Sequence, residues 1–217
     1  MTETEKIQCI SFPRSGHHLL VRCLTQMYGE HFQYCDFYNH CRKTPCRNAK
    51  TNFQKNHDFK LNLSFPETQR CLIQYRHPIE SISSWFELAL TEPNLWERVT
   101  LRDNQNSWET FFNNKLSYWK QFIEKWVLQP DAKRQMLVPY HLLVQNPVKQ
   151  LTQIAEFIWP SVSVPEFKFD WVLKIQEIAP KRTALEFRHC SHAWIEKMEN
   201  ELEDYLVRAA IPRLVSD

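Results

Sequence analysis

The sequence predicts an α/β protein, and three observations favour that class. Residues 6–12, KIQCISF, form a short apolar run without helical spacing, and a helical pattern follows from Gly16. A second apolar run, at 70–75, leads into a segment that begins with Pro78, a favoured first residue of a helix. The chain has 217 residues, of which 43% are hydrophobic and 24% are charged. This length and balance suit one well-buried domain, which we expect to span residues 1–217.

The first predicted unit is a strand, a tight turn and a helix. The helix carries its apolar residues on one face: Leu19, Leu20, Cys23, Leu24 and Met27. Gly29 follows where a C-cap glycine would end the helix.

The rest of the chain continues with strands and helices. Strands are predicted within 51–59, at 70–75 and at 135–139, and helices at about 78–90, 108–127, 147–158, 166–178 and 192–208. Residues 30–50 and 91–106 are rich in turn formers and predict loops, the second of them a candidate lid. No repeat and no Gly/Ser-rich linker divides the chain.

The charge and hydropathy of the chain exclude several classes of protein. The formal net charge is +2, so the chain lacks the broad basic field of a general nucleic-acid binder. No window approaches the ~18 consecutive apolar residues of a membrane span, and the first residues, MTETEKIQ, lack the apolar core of a signal peptide. We therefore expect a soluble, cytoplasmic protein with no membrane span and no nucleic-acid partner.

The seven cysteines do not form an obvious framework. Cys35, Cys41 and Cys46 lie close together in YCDFYNHCRKTPC, with His40 among them. A zinc site is one interpretation, but the paired C-x-x-C spacing is missing. A Cys41–Cys46 disulfide is a second interpretation. We favour the third, which is reduced thiols on a loop and no metal.

Two stretches have the features of anion-binding sites. In SFPRSGHHLL, a strand runs through a glycine turn into a helix, so backbone N–H groups and the positive end of the helix dipole converge beside Arg14 and Ser15. In YRHPIESISS, Arg76 follows a strand, and Ser81 and Ser84 share a face of the next helix. A tight turn and an exposed helix face are the structural alternatives for these two stretches.

These residues resemble the motifs of the sulfotransferases that use 3′-phosphoadenosine 5′-phosphosulfate (PAPS). The family's 5′-phosphosulfate loop has the form x-x-P-[KR]-S-G-T-T-x-[LW], and FPRSGHHLL follows it except that His17 and His18 replace the two threonines. The family's 3′-phosphate motif, R-x-P-x-D-x-x-x-S, resembles RHPIESISS, with Glu80 at the acidic position. The family's K-x-H strand end is similar to the segment 55–57, which lies between the two motifs.

Two weaker matches extend the resemblance over about residues 6–208. VPYHLLVQNPVKQ resembles the family's Y-E-D-L-x-x-x-P segment, with His141 in place of an acidic residue. FRHCSHAW, at 187–194, is similar to the C-terminal R-[KR]-G-x-x-G-x-W segment but lacks its glycines.

The resemblance implies a fold, a reaction and a set of site residues. The fold would be a three-layer α/β/α arrangement around a central, mostly parallel sheet, the P-loop NTPase-like sulfotransferase fold. The catalytic residues would be His57 as the base, Lys55 near the sulfuryl oxygens or the acceptor, and Arg14 on the 5′-phosphate. The PAPS-binding residues would be Arg14, Ser15, Gly16, His17, His18, Arg76, Ser84, Tyr140 (near the adenine) and Arg188. No metal is required, because fixed charges would do the electrostatic work.

Several alternatives stay open at this point. His17 and His18 are rivals of His57 for the base role. A non-catalytic nucleotide-binding module and a small-molecule kinase are rival functions, although the chain lacks the loop Lys and the Ser/Thr that a kinase of this fold normally uses.

The acceptor would be a small molecule or a carbohydrate. Its pocket is expected from the 30–50 loop, the 91–106 loop and the chain after about residue 160. Trp85, Phe86 and Trp96 are candidates to line that pocket, with core packing as the default alternative.

Overall fold

The computed structural model describes residues 6–92, 107–162 and 182–215. The chain divides into two compact units. The first comprises residues 1–75 and 129–181, and the second comprises residues 76–128 and 182–217. The expectation of a single domain remains a prediction.

The first unit contains a five-stranded sheet with the order β2-β3-β1-β4-β5. The strands are β1 (Ile7–Ser11), β2 (Tyr34–Asp36), β3 (Phe53–Asn56), β4 (Cys71–Tyr75) and β5 (Gln135–Pro139). Every neighbouring pair is parallel, and Cys9 in β1 lies opposite Lys55 in β3 and Leu72 in β4. All residues of β1, β3 and β4 are buried, as expected for central strands of a parallel sheet. The predicted α/β class with a parallel sheet is confirmed.

The helices, in chain order, are α1 (His17–Tyr28), α2 (Pro78–Thr91), α3 (Ser107–Trp126), α4 (Tyr140–Gln145), α5 (Pro147–Ile158), α6 (His192–Glu201) and α7 (Glu203–Arg208). In the first unit, the apolar faces of α1 and α5 pack on the sheet in one core, with Leu20, Leu24 and Ile154 among its fully buried members. The predicted inward face of α1 is confirmed, since four of its five residues are buried and Met27 is half-buried. Gly29 ends α1 with a positive φ, as predicted.

The structure differs from the sequence-based elements in three places. Strand β2 and a π-helical turn (Phe37–Cys41) lie within residues 30–50, which the sequence predicted as a loop. The three residues of β2 are too few to show a periodicity, and their conformation is fixed by pairing with β3. The predicted helix at 192–208 is two helices, α6 and α7, separated at Leu202, and α4 was not predicted. The predicted helix at 166–178 and nearly all of the 91–106 loop lie outside the described residues.

The second unit is built around an aromatic cluster on α2 and α3. The apolar face of α3 is buried, with Phe111, Phe112, Leu116, Trp119, Phe122, Ile123 and Trp126 all turned inward. Phe86 packs against Trp108 with ring centroids 5.1 Å apart, and Trp85 meets Phe111 edge-to-face at 5.9 Å. Trp85 and Phe86 are therefore core residues in this unit, which matches the packing alternative, and Trp96 lies outside the described residues. None of the helices described has the length and apolarity that crossing a membrane requires.

Candidate active site

The turn between β1 and α1 has the backbone of an anion-binding loop. Arg14 and Gly16 both adopt positive φ angles, 62° and 83°, on either side of Ser15. A left-handed conformation strains a residue with a side chain, and such strain clusters at functional sites. The first N–H groups of α1 have no partner within the helix, so they and the helix dipole favour an anion at this turn.

Ser15 adds an observation that fits an anionic ligand. Its side chain is completely buried, and among the described residues its Oγ has no hydrogen-bond partner. A buried hydroxyl without a partner is costly, and a phosphate or sulfuryl oxygen would satisfy it.

Gly16 is required at its position for two reasons. Its φ lies in the left-handed region, and the ring of Tyr140 packs directly against its Cα. An added Cβ would lie 2.5 Å from Tyr140 Cε2 and still closer to Cδ2. Tyr140 is itself buried in the core of the first unit. It thus lies beside the candidate phosphate loop, and its position near an adenine remains a prediction.

His17 is a buried core residue. Its Nδ1 lies 3.5 Å from Cys9 Sγ and its Nε2 lies 3.2 Å from the Tyr34 hydroxyl. Burial keeps the pKa of His17 well below its usual value, and the Lys55 charge adds to this effect. Both ring nitrogens have partners within the unit, so the expectation that this ring serves as a ligand or base has no support from its contacts.

Arg14 and His18 are the exposed side chains of the turn. The His18 ring is nevertheless partly shielded from water, and this desolvation, with the nearby charge of Lys55 as a second cause, lowers the pKa of His18. His18 is therefore mainly neutral at pH 7.

His57 follows directly after the end of β3, beside the end of β1. Its Nδ1 lies 2.6 Å from the Ser11 carbonyl oxygen and 3.2 Å from Ser11 Oγ. A carbonyl oxygen only accepts, so Nδ1 carries the proton and the ring lone pair lies on Nε2. Burial, with the charge of Lys55 as a second cause, lowers the pKa of His57 to about 3. The ring is therefore neutral and able to accept a proton at pH 7.

Lys55 is held away from solvent by an ion pair across two strands. Its Nζ lies 3.3 Å from Asp36 Oδ2, and both side chains are buried. Asp36 also accepts hydrogen bonds from the Tyr38 N–H at 3.0 Å and from Asn39 Nδ2 at 3.1 Å. Burial alone would raise the pKa of Asp36, but Lys55 and the Tyr38 N–H outweigh it, and the net pKa is lowered.

Tyr38 is a site residue that the sequence analysis missed. Its ring stacks on the ring of His57 with centroids 5.3 Å apart and planes at 20°. Its hydroxyl accepts a hydrogen bond from the His57 N–H at 3.1 Å and donates one to Asn56 Oδ1 at 3.2 Å. Phe59, which is 47% exposed, packs against the same imidazole at 5.3 Å. No motif pointed to Tyr38, because it lies in the segment predicted as a loop.

In the second unit, Arg76 lies two residues before the start of α2. Its Nε lies 3.0 Å from Glu80 Oε2, the acidic position of the matched motif. Its carbonyl accepts a hydrogen bond from Trp119 Nε1 at 3.2 Å. Ser84 lies half-buried two turns into α2, whereas the Ser81 hydroxyl is bonded to backbone carbonyls of its own helix at 3.0 and 3.2 Å. Of the two serines singled out from the sequence, Ser81 is therefore engaged within the helix.

A buried pair near Arg76 was also missed. His77 Nδ1 accepts from the Ile79 N–H and caps α2, while its Nε2 lies 3.1 Å from Glu199 Oε1. Glu199 is fully buried. Burial opposes its ionisation, but the hydrogen bonds from His77 and from backbone N–H groups give it a lowered pKa. Arg188, the weaker candidate for the 3′-phosphate, is exposed.

Comparison with known proteins identifies the fold. No protein-family model matches the sequence, and no curated protein matches it. Solved structures do resemble it, and three sulfotransferases are among them. The mouse sulfotransferase SULT7A1 complexed with PAP has a TM-score of 0.63 at 14% identity, covering 96% of this chain and 88% of its own. A sulfotransferase from Alicyclobacillus acidocaldarius has a TM-score of 0.51 at 13% identity, covering 95% of each chain.

The third structure is the sulfotransferase domain from the curacin biosynthetic pathway. Its TM-score is 0.51 at 13% identity, covering 91% of this chain and 97% of that domain. Each of the three similarities extends over nearly the whole chain. Together with the parallel sheet and the strand–turn–helix unit at its centre, they identify the fold of this protein as the sulfotransferase fold.

Proposed function

We propose that this protein is a PAPS-dependent sulfotransferase that uses His57 as its base. The observation that carries the proposal is the hydrogen bond from His57 Nδ1 to the Ser11 carbonyl, 2.6 Å long. Ser11 ends the strand that leads into the Arg14–Gly16 turn, so the proton-accepting ring is attached to the same strand as the candidate phosphate loop. A neutral imidazole and an anion-binding turn are the two parts that sulfuryl transfer needs.

The 5′-phosphosulfate is assigned to the β1–α1 turn. Its supports are the left-handed angles at Arg14 and Gly16 and the unsatisfied Oγ of Ser15. The backbone N–H groups of His17 and His18 would donate to it, together with the forked guanidinium of Arg14. The ring of His17 is left out of this assignment, because both its nitrogens contact Cys9 and Tyr34.

The 3′-phosphate is assigned to Arg76 and Ser84, with Arg188 as a further candidate. This assignment rests on the match of RHPIESISS to the family motif and on the contact of Arg76 with Glu80. Tyr140, packed on Gly16, is assigned to the neighbourhood of the nucleotide.

The reaction follows from these assignments. The acceptor oxygen or nitrogen forms a bond to sulfur while the bond from sulfur to the phosphate oxygen breaks on the opposite side. The electron pair of that bond leaves with the phosphate, and Arg14 and the N–H groups of the turn stabilise the charge. The acceptor proton goes to Nε2 of His57. Because the bound nucleotide is anionic, it raises the pKa of the ring and makes it a stronger base than in the free protein.

We further propose that the acceptor is a small molecule or a carbohydrate and that the protein acts in the cytoplasm, without a nucleic-acid partner. Residues 37–59, which bring Tyr38 and Phe59 to the ring of His57, would form one wall of the acceptor pocket. Residues 37–50 of this wall belong to the 30–50 segment that the sequence predicts as part of the pocket.

Two measurements test the proposal. Isothermal titration with adenosine 3′,5′-bisphosphate should show saturable binding, and no binding at millimolar ligand would refute it. Transfer of labelled sulfate from PAPS to a panel of phenols, sugars and amines should then show turnover. Binding without turnover on any acceptor would instead support a non-catalytic nucleotide-binding module, and magnesium-dependent consumption of ATP would support a kinase.

A further inference from the structure

Three of the seven cysteines converge at the edge of the sheet formed by β2 and β3. Cys35 lies in β2, Cys41 ends the π-helical turn and Cys46 lies in the segment that follows. Their sulfur atoms all lie within 4.8 Å of one another, and Cys35 Sγ lies 3.2 Å from Cys41 Sγ. Cys35 and Cys46 are buried and Cys41 is half-buried. These three residues are near one another along the chain, but it is the fold that brings their sulfur atoms within contact of one another.

A buried glutamine holds two of these cysteines in place. Gln54, in β3, is fully buried, and its Nε2 donates to Cys41 Sγ at 3.2 Å and to the Lys43 carbonyl at 2.7 Å. Its Oε1 accepts from the Cys46 N–H at 2.9 Å. Every polar atom of this side chain is thus used to position the segment that carries the thiols. Such outer contacts are typical of built metal sites, where they orient the ligands.

A second anchor and the local charge favour the same interpretation. Lys6 Nζ donates to the Cys46 carbonyl at 2.6 Å and to the Asn48 carbonyl at 2.9 Å. Between residues 35 and 58 the chain has five Lys or Arg residues and two acidic residues, Asp36 and Asp58, so the segment has a formal net charge of +3. Three thiolates around a divalent ion carry a net charge of −1, which a basic segment stabilises.

We propose that Cys35, Cys41 and Cys46 bind a zinc ion. Zn–S bonds of about 2.3 Å in a tetrahedral site place sulfur atoms about 3.8 Å apart, a spacing that a group confined within 4.8 Å can adopt by small adjustments. A disulfide joins only two sulfur atoms, at about 2.05 Å, and therefore leaves the third thiol of the group without a role. The fourth zinc ligand would come from outside this group of three.

The position of the site gives the ion a structural role. The segment between Cys35 and Cys46 carries Tyr38, whose hydroxyl and ring contact His57, and Thr44, whose Oγ accepts from Asn56 Nδ2 at 3.0 Å. An ion bound at both ends of this segment would hold it against β3. The ion takes no part in the proposed sulfuryl transfer, so the zinc proposal stands or falls independently of that function.

The first experiment measures the metal content of the full-length protein, purified under reducing conditions with zinc in the medium. Elemental analysis should give one zinc per chain. Cys41→Ser and Cys46→Ser should each lose most of the zinc, whereas Cys190→Ser, which alters a buried thiol of the second unit, should retain it. A wild-type protein without zinc, or zinc retained equally by all variants, would overturn the proposal.

Two further measurements keep the proposal testable if a cysteine variant fails to fold. Wild-type protein reconstituted with Co²⁺ should show sulfur-to-cobalt charge-transfer absorption, and its absence would contradict thiolate coordination. Gln54→Ala leaves all three thiols intact and should weaken zinc binding about 10–100-fold in competition with a chromophoric chelator. An unchanged affinity would indicate adventitious binding to loose thiols, and recovery of a Cys35–Cys41 disulfide by mass spectrometry under non-reducing conditions would favour a redox pair instead.

Discussion

At the scale of single residues, the state of His57 is fixed by one hydrogen bond. The Ser11 carbonyl accepts a hydrogen bond from the Nδ1–H group, so the proton stays on Nδ1 and the lone pair lies on Nε2. Tyr38 stacks on the ring, and its hydroxyl accepts a hydrogen bond from the backbone N–H of His57. The other two histidines that compete for the base role differ from it. His17 has both nitrogens engaged in the core, and His18 lies on the exposed side of the turn.

Replacing His57 should separate binding from turnover. General-base catalysis contributes about 10²–10⁴-fold to a rate, so His57→Ala should lower kcat by that factor. Its affinity for adenosine 3′,5′-bisphosphate should stay within a few-fold, because the ring is not assigned to the nucleotide. Steady-state kinetics and calorimetry measure the two quantities. His31→Ala, at an exposed histidine, serves as the control. Full turnover by His57→Ala would move the base role to His18.

At the scale of elements, the β1–α1 turn depends on its glycine. In Gly16→Ala, the new Cβ would collide with the ring of Tyr140, and the φ of 83° would be strained as well. We expect nucleotide affinity to fall at least about tenfold, which corresponds to about 1.4 kcal/mol. Gly29→Ala is a matched control, because its φ is also positive but no atom lies within 4 Å of its added Cβ. Calorimetry on both variants checks this prediction, and equal losses of affinity would show that backbone strain alone matters.

The ion pair between β2 and β3 has a different expected effect. Removing one partner of a buried pair leaves the other charge unpaired and costs about 3–5 kcal/mol. Lys55→Met should therefore lower the free energy of unfolding by about 3 kcal/mol, because it leaves the buried Asp36 carboxylate without its cationic partner. The double variant Lys55→Met/Asp36→Asn should recover most of this loss. Urea denaturation of the wild type and both variants measures it. A double variant no more stable than Lys55→Met would mean that the pair is not the source of the loss.

At the scale of the whole molecule, buried neutral histidines make stability depend on pH. The pKa of His57 falls from its usual 6.5 to about 3, and that of His17 lies well below 6.5. Between pH 6.5 and 3 the unfolded chain therefore binds more protons than the folded protein. The contribution of these neutral histidines to the free energy of unfolding is therefore fully present above pH 6.5 and is lost as the pH falls below that value.

This dependence should weaken when His57 is replaced. Each such histidine contributes at most about 1.4 kcal/mol per pH unit below 6.5, and partial exposure of the His57 ring reduces its share. In His57→Gln, the slope of unfolding free energy against pH between 6.5 and 5 should fall by up to this amount. Urea denaturation at three pH values measures the slope. His31→Gln should leave it unchanged, and an equal slope in His57→Gln would contradict the lowered pKa.

The sequence by itself determined the central unit of this fold and the residues of its turn. Three signals are local: the apolar run of β1, the 3.6-residue spacing of α1, and the glycines at the two ends of α1. Each predicts its element without reference to the rest of the chain. The same locality explains the failures. Strand β2 is too short to have a period, and it exists because β3 supplies its hydrogen-bond partners.

Only the tertiary structure decided how the chemistry-bearing side chains are used. His17 begins α1 and His57 follows β3, and Cys9 and Tyr34 enclose the first ring while Ser11 orients the second. The sequence singled out Lys55 and the three cysteines, but it did not predict the ion pair of Lys55 with Asp36 or the convergence of the three sulfur atoms, which depend on the pairing of β2 with β3. Contacts between residues distant along the chain depend on the register of that pairing, which no local pattern of residues encodes.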